Sequence, residues 1–132
     1  MSDWRQRKLK ERLKLPLQPM PEQPPEERVR NMAEVALGLT PEQAVAEAER
    51  CLQCDKAKCI EGCPVGIDIP RFLRHLIVRD LDGALRTIHE SNIFPSICGR
   101  VCPQESQCEA QCVINKKMES VSIGRLERFV GD

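Results

Sequence analysis

The sequence predicts an all-α domain, on two observations. Apolar residues recur at helical spacing in the middle of the chain, at Ile69, Phe72, Leu73, Leu76 and Ile77 and then at Leu81, Ala84, Leu85 and Ile88. The same spacing returns near the end, at Ile123, Leu126 and Val130, and no run alternates apolar and polar residues over the length of a strand.

The elements follow in order. Residues 3–14 carry six basic side chains (Arg5, Arg7, Lys8, Lys10, Arg12, Lys14) against two acidic ones, and Leu9 and Leu13 stand four apart, so a short helix is expected there. Pro16, Pro19, Pro21, Pro24 and Pro25 then force an extended stretch. Residues 1–25 therefore read as a basic, Pro-rich arm. Its plain reading is a solvated tail or linker; its sharper reading is an arm that docks on another domain or subunit of the same protein.

Residues 26–132 read as the folded domain. A helix is expected after Pro25, with Glu26 and Glu27 in its first turn and Gly38 ending it or bending the chain. Thr40-Pro41-Glu42-Gln43 is a strong start signal, with Thr40 as N-cap, Pro41 at N1 and Gln43 at N3; the helix over 41–50 then runs into Cys51. The central periodicity predicts a hairpin of helices over 70–79 and 81–90, with Asn92 as a C-cap. A short helix over 104–111 and a last one over 122–130 complete the set.

Composition narrows the function. At 132 residues the chain allows one domain, or one small domain plus a tail, and Trp4, Phe72, Phe94 and Phe129 are its only aromatic residues. So thin a core commonly needs metals or disulfides. Lys plus Arg and Asp plus Glu number 20 each, a balance that does not favour a nucleic-acid partner. No apolar h-region marks a signal peptide and no stretch approaches 18 apolar residues, so no membrane span is expected and the cytoplasm is the expected location. Neither G-x-G-x-x-G nor a P-loop, G-x-S-x-G or H-E-x-x-H occurs, so no nucleotide site and no catalytic residue is expected within this chain.

The chemistry lies in eight cysteines. Cys51, Cys54, Cys59 and Cys63 read C-x2-C-x4-C-x3-C followed by Pro64; Cys98, Cys102, Cys108 and Cys112 read C-x3-C-x5-C-x3-C. Eight soft thiolates at this density suit two [4Fe–4S] clusters, and hence electron transfer. In two-cluster ferredoxins the cysteine of the closing x3-C-P ligates the other cluster. On that pattern Cys51, Cys54 and Cys59 hold cluster I, Cys63 passes to cluster II with Cys102 and Cys108, and Cys112 crosses back to cluster I. Spacing leaves the fourth ligand of cluster II open, with Cys98 the plain candidate. Two zinc sites are the main rival, although only Cys51 and Cys54 have a C-x2-C spacing. Four disulfides would suit a secreted protein, and a redox C-x-x-C would sit beside a βαβ pattern that is missing. His75 and His89 read as surface or packing residues, and Arg50 and Arg100 as solvated or as donors to cluster sulfur.

The segments CLQCDKAKCIEGCPVGIDIPRFL, GALRTIHESN, CGRVCPQESQCEAQC and VSIGRLERFV closely resemble the N-terminal iron–sulfur domain of the small subunit of NADPH-dependent glutamate synthase. The same module is similar in dihydropyrimidine dehydrogenase and NADH-dependent ferredoxin:NADP oxidoreductases. The resemblance covers residues 20–132 and implies an α-helical ferredoxin-like domain built around two [4Fe–4S] clusters with the crossed ligation above. It implies that the position of Cys98 is not a ligand. The fourth ligand of cluster II would instead be a side-chain oxygen from the last helix, at Glu127, where this chain has a carboxylate in place of a relative's amide. It further implies FAD and NAD(P)H domains elsewhere in the same polypeptide or complex, and a large catalytic subunit or a ferredoxin as electron partner. The expected function is thus electron transfer within a flavin-dependent NAD(P)H oxidoreductase. A zinc-stabilised interaction module and a free-standing ferredoxin-like carrier are the alternatives.

Overall fold

The computed structural model describes residues 7–132, so Trp4 and Arg5 lie outside the described residues. The described chain is helical, and its one β-bridge, Glu22 to Ala36, forms no strand. The α-helices are α1 (Leu9–Arg12), α2 (Pro25–Arg28), α3 (Pro41–Ala48), α4 (Lys58–Gly62), α5 (Ile69–Ile77), α6 (Leu81–His89), α7 (Pro95–Val101) and α8 (Ile123–Gly131).

The hairpin α5–α6 forms where the apolar periodicity places it. Asp68 accepts the Arg71 amide at 3.2 Å and Asp80 the Gly83 amide at 2.9 Å, so each helix starts on a side-chain cap. Phe72, Leu73, Leu76 and Ile88 are almost wholly buried and meet Leu126 of α8 in one core with Ala44 and Ala48 of α3. Each large side chain so buried stabilises the fold by about 1.5–3 kcal/mol. His75 sits half-buried beside Asp80, 2.8 Å between Nδ1 and Oδ2, and His89 is exposed.

Helix α3 starts on the expected capping box: Thr40 Oγ1 accepts the Gln43 amide at 3.2 Å, and Gln43 Oε1 accepts the Thr40 amide at 3.0 Å. It ends at Ala48, and a turn through Glu49 and Arg50 leads into Cys51. Arg50 is not solvated. It is 1% exposed, pairs with Glu47 at 2.6 Å, and donates to the carbonyls of Ser120 at 2.8 Å and Glu119 at 2.5 Å. Glu47 also accepts the amides of Gln18 and Ser122, both at 2.9 Å. One buried ion pair thereby joins the arm, α3 and the segment leading into α8.

The N-terminal stretch departs from a solvated tail. From Arg7 onward it packs on the helical body: Arg7 pairs with Glu49 at 2.9 Å, and Arg12 is buried and donates to the Cys51 carbonyl at 2.6 Å. Gln43 Nε2 donates to the Pro19 carbonyl at 3.0 Å. The proline spacing does keep residues 16–24 extended, and that shape lets them follow the surface.

Two helices differ from expectation. α2 stops at Arg28, ten residues before Gly38, because Asn31 offers its backbone another partner. Asn31 Nδ2 donates to the Glu27 carbonyl at 2.9 Å and Asn31 Oδ1 accepts the Ala33 amide at 2.8 Å. The chain then runs back beside residues 21–23, and Gly38 (φ +84°) bends it toward Thr40. The helix expected over 104–111 is only a 3₁₀ turn, Gln104–Ser106; the real helix lies earlier, at α7, with Pro95 in its first turn. α7 lies flush on α8, since a Cβ at Gly99 would stand 2.6 Å from the Arg128 amide nitrogen and 2.7 Å from the Gly124 carbonyl oxygen. Arg100 completes this corner, half-exposed, bonded to Glu34 at 2.5 Å and Asp132 at 2.7 Å. Among the described residues no helix is long and apolar enough to cross a membrane.

Candidate functional site

The eight cysteines are all free thiols, which removes the disulfide reading, and they divide between two cavities. The first is lined by Cys51, Cys54, Cys59 and Cys112 with Leu52, Pro70 and Ile114. The second is lined by Cys63, Cys98, Cys102, Cys108 and Glu127 with Asn92. Among the described residues no three Cys, His, Asp or Glu side chains converge to hold a single ion. The thiols stand around cavities.

Local structure explains the division. Cys51 follows α3, its amide bonded to the Ala48 carbonyl at 3.0 Å. Gln53, at φ +56°, turns the chain back so that Cys54 faces the same cavity. Cys59 lies in α4, and Cys63 is where α4 gives way to extended backbone (φ −84°, ψ 122°). That change of direction carries Cys63 into the second cavity while Cys59 stays in the first. The 107–112 segment crosses α4 at Gly62, where a Cβ would stand 2.8 Å from the Gln107 carbonyl oxygen. This close crossing puts Cys108 in one cavity and Cys112 in the other.

In the second site Cys98 lies within α7 and Cys102 at its C-terminus, its amide bonded to the Cys98 carbonyl at 3.0 Å. Glu127 comes from α8, only 6% exposed, and accepts from Asn92 Nδ2 at 2.7 Å. It is therefore no exposed partner of Arg128. Asn92 is not the C-cap of α6, which is Glu90; its side chain instead bonds Glu127, the Phe94 amide at 2.9 Å and the Cys98 thiol at 3.7 Å. Gln104 was not foreseen either; its Nε2 donates to the Cys98 carbonyl at 3.2 Å. A long-range partner of Glu127 leaves no local signal in the sequence.

The electrostatics suit a cationic inorganic group. Burial pushes the Cys51 thiol up to about 11, with the neighbouring Cys112 and Cys54 adding to it. Burial and the surrounding thiols push Cys59 up to about 12. Burial, then Glu109 and Cys63, push Cys108 up to about 12, and burial raises Cys54 and Cys102 as well. Burial holds the Glu127 carboxyl up to about 7, against the lowering effect of Asn92. Buried sulfurs that resist ionising together become stable thiolates when iron supplies positive charge among them. The donor set in each cavity, soft sulfur in quantity with little competing nitrogen, fits an iron–sulfur cluster.

Comparison with known proteins agrees. Residues 28–132 match the family model described as dihydropyrimidine dehydrogenase domain II, 4Fe-4S cluster. The chain belongs to this family of helical 4Fe-4S domains. It is 39% identical over 99 residues to the NAD-dependent dihydropyrimidine dehydrogenase subunit PreT of Salmonella typhimurium, covering 75% of this chain and 24% of that protein. It is 40% identical over 90 residues to the glutamate synthase [NADPH] small chain of Escherichia coli, covering 68% of this chain and 19% of that protein. Against the same small chain of Azospirillum brasilense it is 38% identical over 117 residues, 87% of this chain and 24% of the relative. The chain thus spans about a quarter or less of these relatives' length.

Proposed function

We propose that this chain is the electron-carrying part of a flavin-dependent NAD(P)H oxidoreductase of the glutamate synthase small-chain type, holding two [4Fe–4S] clusters. Cys51, Cys54, Cys59 and Cys112 would ligate cluster I. Cys63, Cys102, Cys108 and Glu127 would ligate cluster II, with Cys98 the alternative to Glu127. Such clusters accept and give single electrons at potentials set by ligands, burial and hydrogen bonds to sulfur. The chain's own residues supply the ligands, exclude water with Leu52, Ile67, Pro70 and Ile114, and fix the two sites side by side through the crossing at Gly62. No residue here acts on an organic substrate.

The observation that carries this reading is the sharing of each cysteine group between two cavities, three thiols of the first group in one and the fourth in the other. FAD and NAD(P)H would bind in domains of the same polypeptide or complex, and electrons would pass between FAD and a large catalytic subunit or a ferredoxin. The names of the relatives, an NAD-dependent dehydrogenase subunit and an NADPH-dependent synthase chain, support that placement. The cytoplasm, where thiols stay reduced, is the proposed location.

The test is anaerobic reduction of the complete polypeptide by NAD(P)H, followed by electron paramagnetic resonance. Iron–sulfur signals that develop during turnover are the expected result. Clusters that dithionite reduces but NAD(P)H never does would contradict the role.

A further inference from the structure

Asn92 is 7% exposed and sits between α6 and α7, facing the second cavity. Its orientation is fixed by chemistry: the Phe94 backbone amide can only donate, so the atom it meets at 2.9 Å is the side-chain oxygen. The amide nitrogen therefore faces Glu127, donating to Oε1 at 2.7 Å. The same oxygen that takes the Phe94 amide lies 3.7 Å from Cys98 Sγ, within reach of a thiol proton. Engaged through one oxygen, Glu127 keeps the other without a hydrogen-bond partner among the described residues.

We propose that Asn92 is the positioning residue of the second site: its side-chain amide, held by the Phe94 backbone amide, orients Glu127 toward the cluster. This rests on the reading of Glu127 as the fourth ligand of cluster II. Asparagine suits the task because it presents a donor and an acceptor on one planar group. Aspartate keeps the acceptor for Phe94 but turns an acceptor toward Glu127. Outer-shell groups of this kind commonly change metal retention by 10–100-fold.

The test compares the anaerobically reconstituted chain with its N92D, N92A, E127A and N92D/E127A variants, by electron paramagnetic resonance and by iron loss to a chelator. N92D, which preserves the start of α7, is expected to move the g-values of cluster II and speed its loss about tenfold or more, with cluster I unchanged. N92A is expected to do the same, and in the E127A background the N92D change is expected to add nothing. Wild-type g-values and retention in both Asn92 variants would overturn the proposal, as would an N92D effect of equal size with and without Glu127. If E127A holds no second cluster, N92D alone decides by the same criterion. A wild-type spectrum in E127A would instead sink the Glu127 reading itself, and the two failures are thereby distinguished.

Discussion

Arg12 Nη1 donates to the backbone carbonyl of Cys51 at 2.6 Å, across 39 positions of chain. The bond ties an arm expected to be solvent-borne to the first thiol of the first cavity. Substituting Arg12 by Ala removes a charge-assisted bond to a part-buried carbonyl, at a cost of about 1–3 kcal/mol. Denaturant titration should show that loss, and cluster I should be released to chelator sooner than cluster II. Equal stability and equal retention would mean the arm merely rests on the body.

The Glu47–Arg50 pair should behave as a buried ion pair. Arg50→Met leaves Glu47, 0% exposed, without its cation, and should cost about 3–5 kcal/mol, whereas the Glu47→Leu/Arg50→Met double substitution should recover much of that. The double variant also leaves the carbonyls of Glu119 and Ser120 without their donor, so recovery will be partial. Urea unfolding of the holo chain measures both. A double variant as unstable as the single one would show that the backbone bonds outweigh the charge pair.

Gly99→Ala forces a methyl against the α8 backbone, where no flexible side chain can yield. Overpacking of this kind costs about 1–3 kcal/mol, and it should displace Glu127 from the second cavity. Metal analysis with spectroscopy should show cluster II depleted and cluster I retained. Equal depletion of both would place the damage in the core.

The Arg100 corner predicts an acid dependence. Hydrogen bonding to Arg100 first, and the nearby Arg128 charge after it, hold Glu34 below its ordinary range; hydrogen bonds from Arg100 and then Arg128 do the same for Asp132. Carboxylates lowered in the fold contribute stability above their unfolded values, near 4, and lose it as pH falls through the lower folded values. The stability gap between wild type and Arg100→Ala should therefore be full at pH 7 and close below about pH 4. A gap that persists unchanged at low pH would assign it to packing.

Removing the metal should spare the hairpin over 70–90 and loosen both cysteine groups. The hairpin carries its own caps and most of the large core side chains, whereas residues 98–112 hold short helical turns with few buried apolar groups. Amide exchange should show protection confined to the hairpin, and protected amides across 98–112 in the metal-free chain would contradict this.

What could be read in advance was local. The Thr40 capping box, the 3.6-residue stripe of α5 and α6 and the x3-C-P break after Cys59 each sit within a few residues. α7 escaped because its apolar side chains mislead: Ile97 and Val101 are exposed, and the helix docks through Gly99. α2 ends early because Asn31 competes for its backbone. Arg50 reads as a surface charge until Glu119 and Ser120 arrive from 69 and 70 positions away. Asn92 and Glu127 meet only through the docking of α8, so their pairing has no sequence pattern to betray it.

The most direct measurement is the iron and acid-labile sulfide content of the anaerobically prepared chain. Two cubes predict about eight of each per chain. A folded protein with about two zinc ions and no sulfide would contradict the account at its root.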